Sequence, residues 1–108
     1  MKIAMQKVMR TMDKMGYAES TVGTKYIRQA VEIAANIAHV MMTKDIYPEV
    51  GKMNGVNAYA VERAMRTATD KARRSPHWEH NWRELGGWND PTNAEVIMRL
   101  VRECAIED

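Results

Sequence analysis

The 108-residue chain contains no phenylalanine, one cysteine, three prolines and six glycines. A lone cysteine, Cys104, excludes an internal disulfide and fits a reducing compartment. No alternating apolar and polar run stands out, so β-structure is not expected. No apolar run approaches the ~18 residues that a membrane span requires. The N-terminus has Lys2 but neither the continuous apolar stretch nor the small-residue cleavage site of a signal peptide. There is no internal repeat and no low-complexity linker. A Ser-His-Asp set, a paired-carboxylate motif and a phosphate-cradling glycine loop are all missing, which argues against catalysis. These absences describe a cytoplasmic protein with no membrane association, no enzymatic activity and no cofactor.

What is present supports one helical domain. Apolar residues make up 45% of the chain, enough for a real core at a length that buries roughly two-thirds of the unfolded surface. Ten methionines in place of phenylalanine point to a malleable core. The net charge of +2 says little, but its distribution says more. Residues 1–56 carry eight basic and five acidic groups, residues 57–74 five and two, and residues 75–108 three and seven. Positive charge is therefore densest in the 18 residues from 57 to 74, as a nucleic-acid-binding surface requires.

The apolar period predicts all-α architecture, a compact bundle of about five to six helices over 1–108 that contains a helix-turn-helix. Residues 2–15 form the first helix, with Met5, Val8, Met9, Met12 and Met15 on one side and Gly16 as its stop. A loop over 16–24 leads to the most apolar segment, residues 25–42, with Ser20 or Thr24 as its cap. Its stripe is Ile27, Ala30, Val31, Ala34, Ile37, Ala38 and Met41, with Ile33 and Val40 as a second edge. Such a helix is central and packed on two sides, and His39 between the stripes is partly buried. A third helix covers 46–53, capped by Asp45 and tolerating Pro48 in its first turn, with Val50 and Met53 inward. Gly51 marks a close approach by another helix, and Gly55 supplies a positive φ.

The fourth helix starts at the N-cap Asn57, with Val56 and Val61 as a hydrophobic staple. It buries Val61, Ala64, Met65, Ala68 and Ala72, and its alanines allow close seating on the third helix. Residues 75–91 are irregular and hold Trp78, Trp82 and Trp88, with a short helical turn near 81–85. The tryptophans are expected to cover the core between helices four and five rather than to stack on bases. The last helix opens with the capping box Thr92-x-x-Glu95 and buries Val96, Ile97, Leu100, Val101 and Cys104.

A short helix, a glycine turn and a basic amphipathic helix over 46–74 have the layout of a helix-turn-helix. The candidate base-reading residues are Asn57, Tyr59, Glu62, Arg63 and Arg66. Arginine makes two parallel bonds to guanine, glutamate accepts from cytosine, and Glu62 can also brace an arginine fork. Lys71, Arg73 and Arg74 suit phosphate contacts, which position without specifying. Asn54 departs from the usual pattern, which has an apolar residue there.

Three blocks carry a family resemblance: Tyr47-Pro-Glu-Val-Gly-Lys, Val61-Glu-Arg-Ala-Met-Arg and Pro91-Thr-Asn-Ala-Glu-Val-Ile. Over roughly residues 10–104 the chain resembles the C-terminal effector domain of the sporulation response regulator, stage zero sporulation protein A. That family has Tyr-Pro-acidic in the first motif helix, Val-Glu-Arg-Ala-Ile-Arg in the recognition helix and Pro-Thr-Asn-Ser-Glu-Phe-Ile opening the last. The resemblance implies about six helices, sequence-specific binding of double-stranded DNA as a transcription regulator, and a homodimer or tandem pair on repeated short boxes. It places Glu62, Arg63 and Arg66 among the recognition residues. Two positions depart. Ala60 stands where the family has arginine, and Thr67 where it has histidine, so a different preferred DNA site is implied. The family's receiver domain has no counterpart here, and the Met1-Lys2 start favours a free-standing relative over an excised domain.

Other signals are weaker. His77-x-x-His80 with Glu79 and the distant Cys104 lacks the closed ligand set that zinc needs, so no metal is expected. The Met5–Met15 stripe would suit a partner groove if it were not core. The alternative to a DNA reader is a protein-interaction module that keeps the fold and modulates a full-length relative. The acidic last third and Ala60 motivate it.

Overall fold

The computed structural model describes residues 2–106. Met1, Glu107 and Asp108, which entered the charge count and the reading of the start, lie outside the described residues. Six α-helices occur among the described residues: α1 (Met5–Met15), α2 (Val22–Ala34), α3 (Tyr47–Asn54), α4 (Ala58–Ala72), α5 (Trp78–Glu84) and α6 (Asn93–Cys104). A π-helical turn, Met42–Ile46, leads into α3. Two short strands, β1 (Lys2–Ile3) and β2 (Ala105–Ile106), pair antiparallel. They replace the expected helical start at residue 2, because Ala4 N–H donates to the Cys104 carbonyl at 2.9 Å and ties the two ends of the domain together.

The expected central helix is indeed central. Helix α2 packs against α4, α6, α1 and α3 and buries Tyr26, Ile27, Ala30, Val31 and Ala34. Its extent differs from the expectation at both ends. It starts at Val22, so Thr24 is a buried first-turn residue and not the cap; the cap position is Thr21, with no side-chain bond. It stops at Ala34, well short of residue 42. The Asn36 amide donates to the Glu32 carbonyl at 3.1 Å, and three-residue backbone bonds from Asn36 and Ile37 tighten the last turn. The chain then runs irregularly to the π-helical turn, where the Asp45 carboxylate accepts from Met41 N–H at 2.8 Å in place of capping α3. Ile37 and Val40 remain half-buried from this segment, whereas Ala38, His39 and Met41 are exposed.

Helix α4 follows the expectation closely. Gly55 takes φ +69° and the Asn57 side chain accepts from Ala60 N–H at 2.8 Å. Its buried side is Val61, Met65, Ala68, Thr69 and Ala72. The alanine side, however, seats on α2. A Cβ on Gly23 would fall on the Ala64 carbonyl and the Ala68 methyl. Gly51 serves the turn of its own motif, since a Cβ there would lie 2.5 Å from the Val56 carbonyl oxygen. Met53, expected inward, is exposed, as is Met9. Asn54 bonds Gln29 of α2 at 2.7 Å and the Val50 carbonyl at 2.8 Å, so a polar pair holds α3 to α2 where an apolar contact is usual.

Two of the tryptophans complete the core. Trp78 and Trp82 stack at 5.5 Å, and Tyr17 meets Trp78 edge-on at 5.9 Å. The Trp82 indole donates to the Asn89 carbonyl at 3.0 Å. Trp88 is 79% exposed and sits beside Arg83, outside the core. In α6, Thr92 caps by accepting from Glu95 N–H at 3.1 Å, and all five expected stripe residues are buried.

The α2–α4 seam has no slack for a methyl group. Gly23→Ala should lower stability by about 1–3 kcal/mol through overpacking, although alanine is the better helix former by about 1 kcal/mol. Urea denaturation checks this; a variant as stable as the parent would show that the seam can open.

Tyr17 and Thr69 share a 2.7 Å hydrogen bond in the interior, and burial pushes the Tyr17 phenol far above its ordinary range. The folded state therefore holds this proton more tightly than the unfolded chain, whose phenols titrate near ~10. Its contribution is complete below that pH and falls as pH rises above it. Unfolding curves taken across this alkaline range should show declining stability for the parent and a shallower decline for Tyr17→Phe.

Candidate nucleic-acid interface

All eight candidate residues lie on α4 or just beyond its ends, but they do not share one face. Tyr59, Arg63, Thr67, Asp70 and Arg74 point away from the core, and all are exposed. Arg63 stands near the middle of this outward side and has no ion-pair partner among the described residues. The Asn57 side-chain oxygen is spent on the cap, and the residue is exposed with its amide nitrogen unbonded among the described residues.

One flank of α4 faces α3 and α6. There Glu62 holds Arg66 at 3.1 Å in an i,i+4 pair, so the glutamate braces Arg66 and not Arg63. Tyr47, Asp70, Thr92 and Asn93 complete this flank. The Asn93 amide donates to the Glu62 backbone carbonyl at 3.1 Å and to the Tyr47 hydroxyl at 3.2 Å. Burial, ahead of the opposing effect of the Asn93 bond, raises the Tyr47 pKa and keeps this phenol neutral. The three sequence blocks quoted above thus meet in space: one amide ties the start of α6 to α4 and α3. Tyr47 and Asn93 were not among the candidate residues, yet both stand inside those blocks.

The other flank faces the start of α2. Tyr59, Arg63 and Lys71 border a groove whose far wall is formed by Ser20, Thr21, Val22 and Gly23. Beyond the end of α4, Arg73 is drawn away by Asp90 at 2.6 Å, and Arg74 is exposed without an ion-pair partner among the described residues. Carboxylates thus hold Arg66 and Arg73, while Arg63, Lys71 and Arg74 stand unpaired. Burial raises the Cys104 thiol pKa, which disfavours the reactive thiolate. His77 and His80 are exposed at α5, where His80 approaches Glu84 at 3.6 Å.

A short helix, a left-handed glycine and a capped second helix with an exposed basic side define a helix-turn-helix DNA-binding domain. Matching to known families agrees with this class. The chain belongs to the family described as Sporulation initiation factor Spo0A C terminal, whose model matches residues 8–104. At that level it is an all-helical sporulation effector domain of the DNA-binding, transcription-regulating kind. No curated protein matches the chain. Among the described residues no helix is long and apolar enough to cross a membrane.

The Asn93 junction should be cooperative. Asn93→Ala should cost about 1–2 kcal/mol by stranding its partners, and a double-mutant cycle with Tyr47→Phe should give a coupling of about 0.5–1 kcal/mol. Strictly additive losses in urea denaturation would show that the amide does not link α3 to α6.

Proposed function

We propose that the protein is a sequence-specific reader of double-stranded DNA that regulates transcription from the cytoplasm, with α4 lying in the major groove. The observation that carries this is Arg63: exposed, unpaired and near the middle of the outward side of α4. An arginine in that position can place its fork on guanine O6 and N7. Tyr59 and the Asn57 amide stand at the leading end for neighbouring bases. The Glu62 brace fixes the Arg66 fork beside them. Lys71 and Arg74 serve phosphates, and Arg73 does so by exchanging Asp90 for the duplex. The whole chain acts as one effector-type domain, alone or as a homodimer or tandem pair on repeated sites. Bound to a full-length relative in place of DNA, the same fold would act as an interaction module; the capture of Arg66 and Arg73 by carboxylates favours that second reading.

Selection from a random duplex pool should enrich a short motif. On that motif, Arg63→Ala should remove the preference for the cognate sequence, worth about 1–3 kcal/mol per guanine contact. Arg74→Ala should weaken all sequences about equally and lower the salt slope by about one. Equal losses from both would overturn the division of roles, and no binding at low salt would favour the interaction module.

A further inference from the structure

The open groove between α4 and the first turn of α2 has a volume of about 690 Å³ and is lined by Arg63, Lys71, Thr67, Asn57, Ser20 and Thr21 among others. No carboxylate lines it, and neither of its cations is ion-paired among the described residues. The opposite flank of α4 carries Glu62 and Asp70 around a single arginine, and that arginine is already paired. The two sides of the same helix therefore present opposite electrostatics to a polyanion.

The hydroxyls on the far wall are also uncommitted. Thr21 occupies the cap position of α2 but its side chain makes no capping bond, and neither Ser20 nor Thr21 gives or accepts a side-chain hydrogen bond among the described residues. Ser20 is exposed and lines the same groove as the cations. Two cations on one wall, two free hydroxyls on the other and no acid between them match a phosphodiester strand, whose oxygens accept from both donor types.

We propose that one strand of the duplex backbone runs along this groove, held by Lys71 from α4 and by Ser20 and Thr21 from α2, while Arg63 reaches from the same groove to the bases. DNA then docks with a defined polarity: one phosphate strand lies along the α2 side of α4, where no acid opposes it. This rests on the DNA-reading function above and adds a second element, the start of α2, to the contact surface.

The test uses the full chain and a short duplex of mixed sequence, followed by fluorescence anisotropy over a series of salt concentrations. Lys71→Ala should lower the slope of log K against log salt by about 0.9. Thr21→Ala should weaken binding severalfold. Ser20→Glu, on an exposed residue outside any helix, should weaken it roughly fivefold or more by setting a carboxylate against phosphate, with the thermal midpoint unchanged. If Lys71→Ala acts as stated while Ser20→Glu and Thr21→Ala bind like the parent, DNA touches α4 alone and the groove assignment falls while the DNA-reading function stands. If the parent itself shows no salt-dependent binding, the DNA-reading function is overturned and the groove assignment with it.

Discussion

The position of the basic helix is set by a missing methyl group. At Gly23 the α2 backbone comes against the Ala64 carbonyl and the Ala68 methyl, a contact that any Cβ would prevent. Helices separated by ordinary side chains lie about 8–10 Å apart, and small residues on both sides bring such a pair to the near end of that range. Because α2 is also packed on α6, α1 and α3, this seam fixes α4 relative to most of the core. The outward side of α4 takes its placement from this seam, and the groove beside it takes its facing wall from the start of α2.

Charge is then sorted by what each cation can reach from that fixed helix. Glu62 is one turn from Arg66 and pairs with it, while Asp90 comes from the loop after α5 and takes Arg73. Both pairs are substantially exposed, and such pairs contribute only ~0–1 kcal/mol. Their greater consequence is directional. They draw positive potential away from the α6 side and leave it with Arg63, Lys71 and Arg74. A helix that looks uniformly basic in the sequence is polar across its width in the folded protein.

What was legible in the sequence was local. Asn57 and Gly55 bound the start of α4, Thr92 marks the start of α6, and both helices sit where caps and apolar period place them. The end of α2 was not legible, because Ile37 and Val40 keep the helical period after the helix has ended; the period records burial, and an irregular segment here supplies half-buried residues too. The pairing of Glu62 with Arg66 could be read from their spacing. The capture of Arg73 by Asp90 and the junction at Asn93 could not, since each joins segments whose meeting depends on the tertiary fold. Likewise Ser20 read as a cap candidate and Thr21 as plain loop, and only the α2–α4 packing brings them to the groove that Arg63 and Lys71 line.

The two departures from the family pattern acquire a common location in this light. Ala60 and Thr67, which stand where the resembling sequences have arginine and histidine, both line the groove facing α2. A methyl and a short hydroxyl at those points leave space where two longer side chains would otherwise extend. Of the cations that remain at the groove, Arg63 lies between those two positions and Lys71 at the far end along α4, and the hydroxyls of Ser20 and Thr21 form its facing wall. Changes at two separated sequence positions thus alter a single physical feature, the depth and charge of one flank. A duplex recognised by this chain would meet a deeper and less crowded surface there, with Arg63 left as the arginine best placed to reach a base edge.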